Sequence, residues 1–229
     1  MSFTYTWFGH GTHGIETDGY KIIVDPFFTT NPSASTTAVK VEADFIVVSH
    51  GHGDHIEDAV SIAKRTGAQV ISIFEIVNWL GGQGLENLHG QHIGGGFHHP
   101  FGYLKFTQAL HGSSLPDGSY GGNPAGVLLT TKGDHRIYLA CDTGLFAGMR
   151  LIGEEGIDLA VLPIGDNFTM GPDDAIRAVK MIQPTHVIPV HYNTWPVILQ
   201  DADAWAARVT AETGSVPHVL QPGEQFSIE

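Results

Sequence analysis

Basic residues and cysteine are scarce in this chain of 229 residues. Only 11 Lys and Arg stand against 24 Asp and Glu, which gives a formal net charge of −13 at pH 7. A surface of that sign argues against non-specific binding to nucleic acid or to anionic membranes, because both require basic faces. The single cysteine, Cys141, excludes an internal disulfide and fits a reducing compartment, so we expect a cytoplasmic protein.

Long apolar runs are also missing, although the composition supports a large core. No stretch is long enough to span a bilayer, and the first residues lack the basic region and small-residue cleavage site of a signal peptide. Hydrophobic residues nevertheless make up 42% of the chain. We therefore expect a single domain over residues 1–229 without membrane association, and the composition leaves a homo-oligomer open.

Histidine, in contrast, is abundant, and the densest group of ligand-type side chains is His50-Gly51-His52-Gly53-Asp54-His55. Neither a helix nor a strand directs all four of these side chains to one point, so we expect a compact loop in which the glycines provide backbone freedom. Imidazole and carboxylate bind Zn, Mn, Fe or Ni, and the lack of a thiolate argues against a structural zinc finger. The alternative is a His-rich surface loop that binds no metal.

Four predicted strands end directly before a ligand-type residue, namely His50, His111, Asp142 and His191. Sites in α/β proteins are assembled at the strand ends along one edge of a sheet. One such residue alone would more often be an ordinary turn residue. The recurrence of the pattern predicts that these residues share one site.

The order of the predicted elements indicates the fold class. Strands are predicted at residues 3–8, 12–17, 20–24, 45–48, 69–73, 103–110, 127–131, 136–140, 159–162, 186–190, 216–220 and 225–228. Helices are predicted at residues 57–65, 75–80, 145–153, 172–182 and 196–213, and the Gly- and His-rich residues 81–100 are expected to form a loop that covers a pocket as a lid. This order predicts an α/β fold, a four-layer αββα sandwich of two mixed sheets flanked by helices.

The motifs as a set resemble the metallo-β-lactamase fold superfamily, in which an HxHxDH loop is followed by a distant His, an Asp and a final His. The chain is most similar to a group of small bacterial and archaeal metal-dependent hydrolases, the UPF0173 group, over nearly its whole length. The resemblance is carried by Gly9-His10, Ser49 to His55, His111 to Ser114, Asp142 to Gly144, Leu162 to Gly171 and Pro189 to Thr194. Cys141 departs from the pattern, because such proteins more often have glycine there.

The resemblance implies two divalent metal ions, with Zn or Mn favoured and Fe or Ni as further candidates. The implied ligands are His50, His52 and His111 for the first ion, Asp54, His55 and His191 for the second, and Asp142 as a bridge. Elementary chemistry agrees, because this set of nitrogen and oxygen donors is too large for one tetrahedral ion. Coordination lowers the pKa of water from ~15.7 toward roughly 7, which makes a hydroxide nucleophile available at neutral pH.

Other residues near these motifs are candidates for catalysis or for positioning. Asp54 is expected to orient the hydroxide, His10 to lie close to the site, and Asn193 to donate to an oxyanion. Asp25 is expected to fix the tautomer of a ligand imidazole, or alternatively to cap a turn. The sequence assigns no role to Asp166 or to the histidines in the predicted lid, which are His89, His92, His98 and His99.

We expect a hydrolase that acts on an ester-type bond of a small molecule. Phosphoesters and lactones are favoured because the resemblance extends to a sugar-phosphate lactonase. An anionic substrate is compatible with the acidic chain, since two divalent cations outweigh two ligating aspartates. The alternative is a mononuclear-iron persulfide dioxygenase, which keeps the same loop. A flavodiiron-type protein is disfavoured by His52, and a scaffold without catalysis by the complete ligand set.

Overall fold

Two seven-stranded mixed sheets with accompanying helices make up the computed structural model, which describes residues 2–229. The strands are β1 (Phe3–Gly9), β2 (Thr12–Thr17), β3 (Tyr20–Val24), β4 (Phe45–Val48), β5 (Gln69–Ile73), β6 (Leu88–Gln91), β7 (Gly96–His99), β8 (Gly102–Gln108), β9 (Ala125–Thr131), β10 (Arg136–Leu139), β11 (Leu159–Pro163), β12 (His186–Val190), β13 (Val216–Pro217) and β14 (Gln225–Ile228). The helices are α1 (Gly53–Ile56), α2 (Ala59–Thr66), α3 (Phe74–Gly82), α4 (Met149–Gly153), α5 (Pro172–Ile182) and α6 (Ala202–Glu212). Short 3₁₀ turns lie at Ala38–Lys40 and Pro196–Ile198.

Each sheet is antiparallel in one half and parallel in the other. The first sheet has the order β14-β1-β2-β3-β4-β5-β6, with parallel pairing from β3 to β6. The second has the order β13-β12-β11-β10-β9-β8-β7, with parallel pairing from β10 to β13. The strands β4 and β11 are buried along their whole length, as expected for parallel strands that are covered on both faces. The predicted sandwich of two mixed sheets with helices is confirmed.

Helix α5 shows how the sequence positions the elements around the sheets. Pro172 occupies the first turn, where no backbone N–H is needed, and acidic residues follow it at the positive end of the helix dipole. Ala175, Ile176 and Val179 recur at helical spacing and are buried. Gln183 ends the helix with φ of 54°. Within residues 2–229, no helix combines the length and the apolar character that crossing a membrane requires.

The prediction of a loop over residues 81–100 was wrong. Residues Leu88–Gln91 pair in parallel with β5, and Gly96–His99 pair in an antiparallel manner with β8, so both form edge strands. Glycine and histidine have low strand propensity, but the neighbouring strand supplies the hydrogen bonds that decide the conformation.

Three predicted helices begin later in the structure than expected. Residues 196–213 divide into a 3₁₀ turn and α6, because the Asp201 side chain accepts a hydrogen bond from Ala204 N at 2.9 Å and so starts a new helix. Helix α2 begins at Ala59 and α4 at Met149. Asp58 precedes α2, and its carboxylate accepts hydrogen bonds from the backbone N–H of Phe28 and Thr29.

Candidate metal centre

The structure brings the seven residues predicted as metal ligands together at one edge of the two sheets. His50 follows β4, His111 lies beyond β8, and Asp142 and His191 come after β10 and β12. His52, Asp54 and His55 lie at the start of α1 or within it. The expectation of a purely looped motif is therefore corrected, because Gly53 begins a helical turn and neither Gly51 nor Gly53 has a positive φ.

Asp142 lies between two groups of histidines. Its Oδ2 atom is 3.1 Å from His191 Nε2 and 3.4 Å from both His55 Nε2 and His111 Nε2. In one group, ligand atoms of His50, His52 and His111 lie within 4.8 Å of one another; in the other, those of His10, Asp54, His55 and His191 do. A single buried carboxylate thus contacts both groups.

Asp25 orients two of the candidate ligands through hydrogen bonds. Its Oδ2 atom accepts from His55 Nδ1 at 2.9 Å and from the Ser49 hydroxyl at 2.6 Å. Because the single Ser49 hydroxyl hydrogen goes to Asp25, the contact of 2.9 Å between Ser49 Oγ and His50 Nδ1 is a bond that His50 donates. In both imidazoles Nδ1 therefore carries a proton that a hydrogen bond holds, and Nε2 is the nitrogen that faces the site. The predicted contact between Asp25 and a neighbouring imidazole is present.

His10 forms a hydrogen bond with the carboxylate of Asp54. Burial, reinforced by the nearby His191, lowers the pKa of His10 to about 4, so the ring is neutral at pH 7. Its Nε2–H donates to Asp54 Oδ2 at 3.2 Å, which leaves Nδ1 to accept from the Thr194 hydroxyl at 2.8 Å. His10 thus belongs to the site as a hydrogen-bond donor to a candidate ligand.

The protonation states of the group suit cation binding. Burial lowers the pKa of His50 and of His111, which keeps these imidazoles neutral. Burial raises the pKa of Asp142, but the adjacent His191 and His55 outweigh it and lower the pKa below its ordinary value. For His55 the balance is reversed, because Asp142 and Asp25 raise the pKa more than burial lowers it. The space between these groups therefore favours positive charge.

Orphaned polar atoms test whether a metal fits. Within residues 2–229, His55 Nε2 and both ring nitrogens of His191 are buried without a hydrogen-bond partner. Leaving a buried polar atom unpaired costs about 1–3 kcal/mol. Nitrogen lone pairs that converge on a carboxylate are repulsive unless a cation lies between them. The donor set therefore fits one or more divalent ions bound by nitrogen and oxygen.

Several residues at the strand ends around the site have left-handed backbone, which sets the direction of their side chains. His10, Asp25, Cys141 and His191 have φ values of 52°, 51°, 52° and 55°. Such a conformation is unfavourable for residues other than glycine and clusters at functional sites. The Cys141 thiol donates to Leu139 O in its own strand at 3.6 Å, and burial raises its pKa.

A cavity of about 540 Å³ opens onto the candidate ligands. It is lined by His52, Asp54, His111, Asp142 and His191 together with Phe168, Trp195 and Val197. The last three residues were missed by the sequence analysis. The available signal was weak, since Phe168 is a single apolar residue in a predicted loop, and Trp195 and Val197 belong to a short apolar run with no periodic pattern.

Asn193 is not among the residues that line the cavity beside the candidate ligands. Its Oδ1 atom accepts from Gln200 N at 2.7 Å, and the residue lines a neighbouring cavity with Trp7 and Tyr192. This placement argues against the predicted oxyanion role. Asp166 is exposed and its Oδ1 atom accepts from the next backbone N–H, which is a turn contact.

The predicted lid does not cover the cavity. The segment is paired into the sheets, and the cavity lining contains none of its residues. Among residues 2–229, its histidines also lie outside the clusters that could hold a metal. His99 is instead a buried residue of β7 whose Nε2–H donates to Gln91 Oε1 at 3.1 Å.

His99 makes stability depend on pH. Burial, assisted by His89, lowers the pKa of His99 to about 4, whereas the unfolded chain titrates near the ordinary value. As pH falls from about 6.5 to 4, the unfolded chain binds more protons, so stability is lost. We expect wild type to lose roughly 1–2 kcal/mol more than His99→Gln between pH 7 and pH 4.5 in urea unfolding, after allowance for solvent screening. His92→Gln, at an exposed position of the same segment, is the control and should track wild type; equal losses in all three proteins would contradict the prediction.

The chain is similar to a known protein family and to several known proteins. A family model described as "Beta-lactamase superfamily domain" matches residues 20–192. The chain is 48% identical to a UPF0173 metal-dependent hydrolase of Bacillus cytotoxicus, over 97% of this chain and 99% of that protein. It is also 48% identical to a UPF0173 metal-dependent hydrolase of Thermus thermophilus, over 93% of this chain and 94% of that protein.

A solved structure is similar over the full length. Igni18, a metallo hydrolase from the archaeon Ignicoccus hospitalis, superimposes with a TM-score of 0.91 at 36% identity. The match covers 100% of this chain and 99% of that one.

Proposed function

Because this chain belongs to the UPF0173 metal-dependent hydrolases of the metallo-β-lactamase superfamily, we propose that it cleaves an ester-type bond with two divalent metal ions. Lactones and phosphoesters are the proposed substrate classes. The observation that carries the proposal is Asp142, whose buried carboxylate lies 3.1–3.4 Å from three histidines that belong to two separate ligand groups. A carboxylate in that position suits a bridge between two ions.

The residues that would hold the ions fall into the two groups described above. His50, His52 and His111 would bind one ion, Asp54, His55 and His191 the other, and Asp142 would bind both. Zn or Mn suits this set of imidazoles and carboxylates best. When bound, such ions supply Lewis acidity and lower the pKa of a water molecule toward about 7.

The chain itself contributes orientation and charge. Asp25 and Ser49 accept hydrogen bonds from Nδ1 of His55 and of His50, so that both rings keep Nε2 directed at the site. Burial raises the pKa of Asp54, but the hydrogen bond from His10 and the charge of His55 lower it on balance, so the carboxylate stays ionised. Asp54 is therefore placed to accept a proton at Oδ1 or to orient a nucleophile, while its Oδ2 atom is held by His10.

A panel of substrates tests the proposal. Protein reconstituted with Zn²⁺ or Mn²⁺ would be assayed with γ-lactones, carboxylic esters and phosphodiesters, before and after removal of the metal with EDTA. We expect turnover of at least one class, loss of activity with the chelator, and recovery when metal is restored. No turnover of any class by protein shown to contain two ions per chain would contradict it. One iron per chain with oxygen uptake on glutathione persulfide would support the dioxygenase alternative.

Thr194 should control activity through His10. In Thr194→Val the hydroxyl that donates to His10 Nδ1 is replaced by a methyl group of similar size, which frees the ring to rotate away from Asp54. We expect kcat to fall by about 10- to 100-fold, with the metal content unchanged. Thr194→Ser keeps the hydroxyl and should retain most of the activity. Equal losses in both variants would show that packing, and not the hydrogen bond, matters.

A further inference from the structure

Apolar side chains form one side of the cavity that faces the candidate ligands. They are Phe168, Trp195 and Val197, which we call the apolar wall. Phe168 is 52% exposed and Val197 is 61% exposed, although both are large hydrophobic residues. Exposed apolar side chains next to a functional cavity commonly mark a surface that a ligand covers.

The loop that carries Phe168 makes a turn with left-handed backbone. Asp166 and Asn167, directly before Phe168, have φ values of 61° and 53°. Beyond the turn, Met170 is 1% exposed and its N–H donates to Thr143 O at 2.9 Å, next to Asp142. The loop is therefore anchored to the segment that carries a candidate ligand, and the turn places the Phe168 ring in the lining of the cavity.

Trp195 and Val197 are fixed by packing rather than left mobile. The Trp195 ring lies 4.6 Å from the His10 ring and 6.4 Å from the Phe27 ring, measured between centroids. Val197 belongs to a 3₁₀ turn that is anchored by Ile198, a side chain with 0% exposure whose N–H donates to Trp195 O at 3.1 Å. The wall is therefore present before a ligand binds, which reduces the entropy lost on binding.

Cationic side chains are absent from the same cavity. Among residues 2–229, none of those that line it is Lys or Arg. Many of the cations are instead committed to ion pairs elsewhere, namely Arg65, Lys105, Arg136, Arg177, Lys180 and Arg208. An anionic group on a substrate, remote from the metal site, would therefore meet apolar surface in a protein of net charge −13.

We propose that the apolar wall selects esters or lactones that carry an uncharged apolar group beside the scissile bond, and that it disfavours substrates with an additional anionic group there. The inference rests on the proposed hydrolase function and narrows it, because it favours lactones and carboxylic esters over phosphate monoesters. Each methylene that becomes fully buried on binding strengthens binding roughly fourfold. A five-carbon chain half-buried on the wall should therefore strengthen recognition by at least about tenfold.

Three γ-lactones with the same ring test the proposal: γ-butyrolactone, γ-nonalactone with its pentyl chain, and the γ-carboxylate of butyrolactone. With metal-loaded protein in a pH-stat, we expect kcat/KM for the nonalactone to exceed that for butyrolactone at least about tenfold, and the carboxylate to be the poorest. In Phe168→Ala/Val197→Ala the ratio of kcat/KM for nonalactone to that for butyrolactone should fall toward unity. Leu151→Ala, an exposed leucine on α4 outside the cavity, is the matched control and should keep the preference.

Binding measurements separate failure of this inference from failure of the proposed function. The lactam analogues 2-pyrrolidinone and 5-pentyl-2-pyrrolidinone resist hydrolysis, so their affinity can be measured by calorimetry even if no lactone is turned over. Tighter binding of the pentyl lactam to wild type than to the double variant, without lactone turnover, would support the wall and contradict the lactonase function. Equal affinity for both lactams, an unchanged preference in the double variant, or a change of oligomeric state in that variant would overturn the inference.

Discussion

Asp142→Asn should abolish hydrolysis and lower the metal content of the protein. The amide has nearly the same size as the carboxylate, but it carries no charge where Asp142 Oδ2 faces His55, His111 and His191. Because the proposed bridge contributes to both ions, we expect kcat/KM to fall by at least about 1000-fold. Metal analysis by mass spectrometry should show a decrease from two ions per chain to one or fewer.

The control for this experiment is another aspartate near a cavity. Asp203→Asn removes an exposed carboxylate from α6 beside the neighbouring cavity that Trp7 and Tyr192 line. This variant should keep its activity and metal content within about twofold, since exposed charges contribute little to nearby sites. Circular dichroism should show that both variants are folded. Full activity of Asp142→Asn would remove the basis for a binuclear centre.

The fold could be predicted where local pattern and tertiary pairing agree. The bounds of β5, α5 and β12 follow from apolar runs or helical periodicity flanked by glycine, proline or polar residues. The strands β6 and β7 were missed because their glycines and histidines indicate a loop, whereas their conformation depends on pairing with β5 and β8. The local sequence does not show which strands will pair with each other.

The candidate site, like the fold, could be predicted from the sequence only in part. The seven candidate ligands could be predicted as one group because metal-binding residue types recur after apolar strands, and a dense motif is hard to explain otherwise. The role of Asn193 was predicted from its adjacency to His191, which says nothing about where its side chain points, and both residues have left-handed backbone. The apolar wall was missed for a related reason. Phe168 and Val197 can be assigned to the site only from the cavity that they line, which the local sequence does not show.

Asp25→Asn should destabilise the protein and weaken metal binding at the same time. Asp25 is 0% exposed and accepts hydrogen bonds from Ser49 N, the Ser49 hydroxyl and His55 Nδ1. An amide cannot accept all three, because its nitrogen would meet a donor wherever the group is turned. We expect unfolding free energy to fall by about 2–4 kcal/mol and Tm of the metal-free protein by roughly 5–15 °C. Zinc affinity should fall by about 10- to 100-fold, since the tautomers of His50 and His55 are no longer fixed.

A change in backbone strain would not explain the losses of stability and zinc affinity that we expect for Asp25→Asn. Asparagine tolerates left-handed backbone at least as well as aspartate, so the φ of 51° at position 25 is retained without added strain. Asp134→Asn is the matched control, because Asp134 has a φ of 66° and an exposed side chain. It should change Tm by less than about 2 °C and leave zinc affinity intact. If Asp25→Asn lowered stability but left zinc affinity unchanged, Asp25 would support the fold alone; if it changed neither, the hydrogen-bond network beneath the histidines would have no energetic role.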